Sequence, residues 1–181
     1  MSRPRPFRTL LAIALVATPS LIACSSSSGD DHSQPAIIST NGIVREGDAS
    51  AAQLTIYLQH EAREWAWAGG QFDSPELDAA LAAATPQTFA WHADPADFAA
   101  GGAPSDVLMT HLLSFSTASN DNLLQVFTSL SEYTPDAVAW QKLIDAHAPI
   151  TVNLTTGTFV GADVPDDGGP FIGQSLTFTI E

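Results

Sequence analysis

At 181 residues, 45% of them hydrophobic, the chain is long enough for one domain with a proper core, and 20 acidic against 6 basic residues give a formal charge of −14. A field of that sign repels phosphate backbones and anionic headgroups, so nucleic-acid binding is excluded as an expectation, and solubility or a cationic partner is favoured. A single cysteine, Cys24, rules out an intramolecular disulfide.

In chain order, Arg3, Arg5 and Arg8 precede an apolar run from Leu10 to Ala17, and the segment closes on Leu21-Ile22-Ala23-Cys24. The run is too short to cross a bilayer as a stable helix. A basic start, an apolar middle, Leu at −3 and a small residue before Cys together resemble the lipobox of bacterial lipoproteins. The resemblance covers residues 1–24 only. It implies that residues 1–23 are a signal peptide, that Cys24 is diacylglycerated on sulfur, and that the new amino terminus is acylated after cleavage. The membrane is then the first partner, reached through lipid. Ser25 instead of Asp after the cysteine resembles an outer-membrane sorting signal, so the cell envelope, at the outer membrane, is the expected location. Several acyl chains, at roughly 0.8 kcal/mol per methylene, make a lasting anchor. A buried thiol is the ordinary reading of a lone cysteine, but the apolar run before it and Ser25–Ser28 after it favour acylation. Beyond Ala23 only Arg45, Arg63 and Lys142 stand against all 20 acids, a formal −17.

The polar stretch 25–35 cannot bury apolar surface and reads as a tether, about 35–40 Å long when fully extended. From Ala36 to Arg45, β-branched residues on both sides of Asn41-Gly42 predict a short strand or hairpin. Ser50-Ala51-Ala52-Gln53 has capping-box spacing, and a helix over 50–68 would align Ala51, Leu54, Leu58, Ala62 and Trp65. Strand formers over 53–59 compete, and helix is the expectation. Ser74-Pro75 predicts a helix start with Glu76–Ala84 following, and Thr88–His92 alternates as a strand. Ser105 and Asp106 suit the cap of a helix carrying Val107, Leu108, Leu112 and Phe115. A turn at Ala118–Asn122 and helical spacing of Leu123, Val126, Phe127 and Leu130 follow. Thr134-Pro135-Asp136 reads as the clearest helix start, with Ala137, Trp140 and Ile144 as the buried stripe. After Pro149 the period changes: 151–155 and 158–160 read as strands on either side of Thr156-Gly157, and Leu176, Phe178 and Ile180 alternate with threonines.

No nucleophile elbow, dinucleotide loop or phosphate loop occurs in the sequence. His60 and Glu64 sit at i, i+4, like part of a zinc helix without its third ligand. His92, Asp94 and Asp97 crowd a proline turn, where turn chemistry is the plainer explanation. Asp163, Asp166 and Asp167 in a Gly/Pro loop offer oxygen ligands for Ca²⁺, the best metal candidate, although acidic loops are ordinarily just solvated. Trp65, Trp67 and Trp91, if exposed, suit a sugar-binding platform, and core packing is their ordinary role.

Together these features predict a single α+β domain over 36–181, helices on a mostly antiparallel sheet with C-terminal strands, preceded by the signal peptide 1–23 and the lipidated tether 24–35. An all-β sandwich is the alternative. The expected function is non-enzymatic: a lipid-anchored envelope protein binding a macromolecule, either an envelope protein or a glycan, with no resident cofactor unless Ca²⁺. A carbohydrate- or calcium-binding surface module, and then a carboxylate-dependent hydrolase, rank behind it.

Overall fold

The computed structural model describes residues 40–64, 68–93 and 107–181, all within the unit Ala36–Glu181. In chain order these are β1 (Ile43–Glu46), α1 (Ala51–Gln59), β2 (Arg63–Glu64), β3 (Gln71–Ser74), β4 (Ala79–Leu81), β5 (Phe89–His92), β6 (Val107–Thr117), β7 (Asn120–Thr128), β8 (Glu132–Tyr133), α2 (Ala137–Ile144), β9 (Ile150–Val160) and β10 (Phe171–Ile180). The described chain is therefore β-rich, with two short helices. Seven strands make one mixed sheet in the order β1-β7-β6-β9-β10-β2, with β4 also on β10, and β3-β5-β8 make a second, three-stranded sheet.

The largest departure from the sequence expectations is 107–130, which forms β6 and β7 where helices were expected. The reason is burial on both faces. Leu113 and Phe115 enter one core cluster, Leu112 and Leu108 the other, so apolar residues fall at both odd and even positions. Pairs such as Leu112 and Phe115 then sit at i, i+3 by chance, and the period-2 signature is blurred. A two-residue turn between Thr117 and Asn120, which pair across the hairpin, joins the two strands. β9 likewise runs unbroken through Thr156-Gly157. Gly157 is there because the Tyr57 ring lies over it: a Cβ would stand 2.7 Å from Tyr57 Cε2.

The two faces of the large sheet carry separate cores. On one, Leu54 and Tyr57 of α1 pack on Leu112, Phe127 and Phe159, and the Tyr57 hydroxyl donates to Thr155 Oγ1 at 2.9 Å. Ser50 caps α1 with the full reciprocal capping box, as the spacing predicted. The helix stops at Gln59, though, so Leu54 and Tyr57 are its buried residues and the expected stripe ends before Ala62. On the other face lie Phe89 and Trp91 of β5, Tyr133 of β8, and Ala139, Trp140 and Leu143 of α2. Here Asp136, not Thr134, is the N-cap. Trp140 is buried as expected, together with Ala139 and Leu143; Ile144 packs half-buried against the same core, and Ala137 is exposed.

The outer edge of β10 is covered by the chain between β2 and β4. β2 pairs in parallel at Phe171–Ile172 and β4 at Phe178–Ile180. Between them the Gln174 amide donates to the Gly70 carbonyl at 2.9 Å and the Asp78 amide to the Thr177 carbonyl at 2.9 Å. These edge bonds explain why Glu76–Ala84 is not the expected helix. A short isolated helix is marginal, whereas extended backbone here satisfies polar groups of β10 that would otherwise face solvent. At the crossing, a Cβ on Gly173 would collide with the Gly69 backbone, and one on Gly69 with that of Ile172. Side chains are excluded from both positions.

Candidate functional site

Of the residues singled out from sequence, Cys24, Trp65 and Trp67 lie outside the described residues, as do Asp94 and Asp97. Trp91 is a correction to the surface-platform expectation. It is 2% exposed, because β5 turns Phe89 and Trp91 inward on alternate positions. Its ring meets His111 and Phe72 edge-on at 5.4 and 6.4 Å. Asp163, Asp166 and Asp167 are exposed, and the Asp166 backbone carbonyl accepts a bond from Arg63 Nη2 at 2.6 Å. Among the described residues no group of three or more His, Cys, Asp or Glu side chains converges as a metal site. His60 falls just past the end of α1, so it shares no helical face with Glu64. His92 Nδ1 instead lies 2.8 Å from Asp73 Oδ1, both side chains more than half exposed.

Beneath Trp91 lies a buried polar chain. Thr156 Oγ1 donates to the Gly69 carbonyl at 2.8 Å, which uses its only proton. His111 Nδ1, 2.9 Å away, must then be the donor to that hydroxyl, leaving Nε2 unprotonated. Burial lowers the His111 pKa to about 4, so the ring is neutral at ordinary pH. Trp91 Nε1 is buried without a hydrogen-bond partner among the described residues. These groups tie β6, β9 and the Gly69 crossing together.

Among the described residues a concave site lies elsewhere, between β1, β7, β8 and α2. It is a cleft of about 220 Å³ lined by Gly42, Val44, Glu46, Leu124, Tyr133, Asp136, Val138, Ala139 and Lys142. β1 lies parallel to β7, with Val44 opposite Val126 and Glu46 opposite Thr128. Pleating puts Val44 and Glu46 on the same face, which is the face α2 covers. Gly47 ends the strand at φ +64°, and the Asp48 amide donates to Ser129 Oγ at 2.7 Å. Asp136 arrives as the N-cap of α2, its Oδ1 accepting from the Ala139 amide at 2.7 Å. The second carboxylate oxygen has no hydrogen-bond partner among the described residues.

The electrostatics of this cleft are one-sided. Burial, and then the like charge of Asp136, raises the Glu46 pKa. Burial first, then the charges of Glu46 and Asp136, raises the Tyr133 phenol, which therefore stays protonated. Tyr133 is 2% exposed, yet its hydroxyl has no hydrogen-bond partner among the described residues. Chemically the site offers carboxylate and phenol oxygens above an apolar floor. Sequence reasoning missed it. Glu46 and Asp136 are far apart in the chain and share no motif, and the only available signal was the predicted cap at Thr134-Pro135-Asp136.

Compared with protein-family models, with curated proteins and with solved structures, the chain has no significant match.

Proposed function

We propose that this chain is a lipid-anchored protein of the bacterial envelope whose β-rich domain acts by binding another protein. The anchor half of this reading rests on the lipobox at Leu21–Cys24 and the polar tether after it. The binding half rests on one observation: the preformed cleft between β1 and α2, in which two carboxylates and a phenol stand over apolar walls. Such concavities, apolar with a few convergent polar groups, are the default location of binding sites. A protein is favoured over a glycan because Trp91, the one of the three tryptophans expected to stack on sugar that lies among the described residues, is inside the core.

The test is expression of the full chain in a bacterial host with an alkyne analogue of palmitate, followed by in-cell crosslinking. The expected result is label on the wild type, none on Cys24→Ser, and a stoichiometric protein partner. Absence of label from the wild type, or its persistence in Cys24→Ser, overturns the anchor. Crosslinks to lipid alone overturn the binding role.

A further inference from the structure

We infer that the cleft between β1 and α2 is a receptor for one basic side chain, lysine or arginine, presented by a partner polypeptide. This rests on the binding role proposed above and names the chemistry of the partner. Size is the first reason. At about 220 Å³ the cleft is smaller than the roughly 300–1,000 Å³ of sites that enclose whole small molecules, and it suits a single long side chain.

Charge is the second reason. Glu46 and Asp136 enter from different elements, and among the described residues neither forms an ion pair: that geometry is met only by His92 with Asp73. Lys142 lines the cleft but sits six residues beyond Asp136, about 9 Å further along the helix axis. The two carboxylates outnumber this one cation in the lining, and among the described residues Lys142 is not ion-paired with either of them. An anion would be repelled, and a wholly apolar ligand would strip water from two charges without pairing them.

The third observation is independent of the acids. The Tyr133 side chain is almost wholly buried and lines this same cleft, and its hydroxyl is not a buried unpaired atom, so the oxygen meets the solvent of the cleft. A hydroxyl oxygen has lone pairs to accept from an ammonium or guanidinium. The walls fit the remainder of such a side chain. Val44, Leu124, Val138 and Ala139 are apolar, and Val138 is 79% exposed on a helix face that methylenes would cover. Long basic side chains bury their stems on surfaces of this kind while their heads pair with oxygens.

The experiment uses the full chain in detergent micelles, with the methyl signals of Val44, Leu124 and Val138 followed by NMR. The probe is an acetylated, amidated pentapeptide, Gly-Ala-Arg-Ala-Gly, with its lysine and citrulline counterparts. The arginine and lysine peptides should shift these methyls saturably, and the neutral citrulline peptide should bind at least tenfold more weakly. Glu46→Gln with Asp136→Asn, which keeps a capping side chain, should weaken the arginine peptide at least tenfold, and Tyr133→Phe at least threefold. Asp163→Asn with Asp166→Asn, remote acids of the same charge, should change it less than twofold. If the double cleft variant melts more than 10 °C lower, Glu46→Gln alone is read, with a threefold loss expected.

Citrulline binding within twofold of arginine overturns the inference, as does an equal loss in the remote acid pair. n-Butylammonium binding as tightly as the lysine peptide would assign the cleft to a free amine and likewise overturn it. Palmitate on Cys24 with no peptide binding removes the cleft and leaves the anchor; peptide binding without palmitate does the reverse.

Discussion

His111 is the residue whose environment makes the sharpest demand on pH. Unfolded, the ring takes up a proton as pH falls below about 6.5, whereas the folded site resists until about 4. Stability is therefore lost progressively as pH falls between those values, by up to about 3 kcal/mol from this group. Glu46 acts in the opposite sense. Its raised pKa favours the fold once it is protonated, so the whole-protein curve mixes the two. Melting temperature against pH for wild type and His111→Asn separates them. Asn keeps a donor toward Thr156 without titrating, and the variant should lose less stability between pH 6.5 and 4. A second residue-scale expectation concerns Gly173, where any Cβ meets the Gly69 backbone. Gly173→Ala should cost about 1–3 kcal/mol in denaturant unfolding, the usual range for forced overpacking, because backbone cannot move aside as a flexible side chain can. Neither feature was legible beforehand. His111 drew no notice among its apolar neighbours, and a glycine in a strand does not say which backbone crosses it.

Elements were legible where one face is wet or where a cap sits in local sequence. β10 alternates Leu176, Phe178 and Ile180 with threonines, and Ser50 with Gln53 carries the α1 cap within four residues. β6 and β7 were not, since apolar neighbours on both faces remove the alternation that identifies a strand. β4 was not either: its extended form comes from β10 partners about a hundred residues away, not from Ala79-Ala80-Leu81 itself. The caps give paired expectations. Ser50→Ala removes one orphan-amide acceptor at the start of α1 and should cost about 1 kcal/mol. Asp136→Ala should cost about as much, while Asp136→Asn should melt close to wild type, because Asn caps as well as Asp. Thermal melts of these variants measure the structural role of Asp136 separately from its charge in the cleft.

On the scale of the molecule, the mixed sheet is unevenly bound at its two ends. β10 is held on both sides, by β9 along its length and by β2 and β4 on its outer edge. Among the described residues β1 has β7 alone as its partner strand, through the four pairs Ile43–Gln125 to Glu46–Thr128. It is also the first of the described strands and one wall of the cleft. Tension arriving from residue 24 thus enters the described fold at a strand held by four residue pairs, whereas β10 is held along its length by β9. In single-molecule pulling between residues 24 and 181, β1 should leave β7 at lower force than β9 leaves β10. The departure of β1 would take Val44 and Glu46 away from α2, so a load on the amino-terminal side would dismantle the proposed cleft while the β9–β10 ladder still holds.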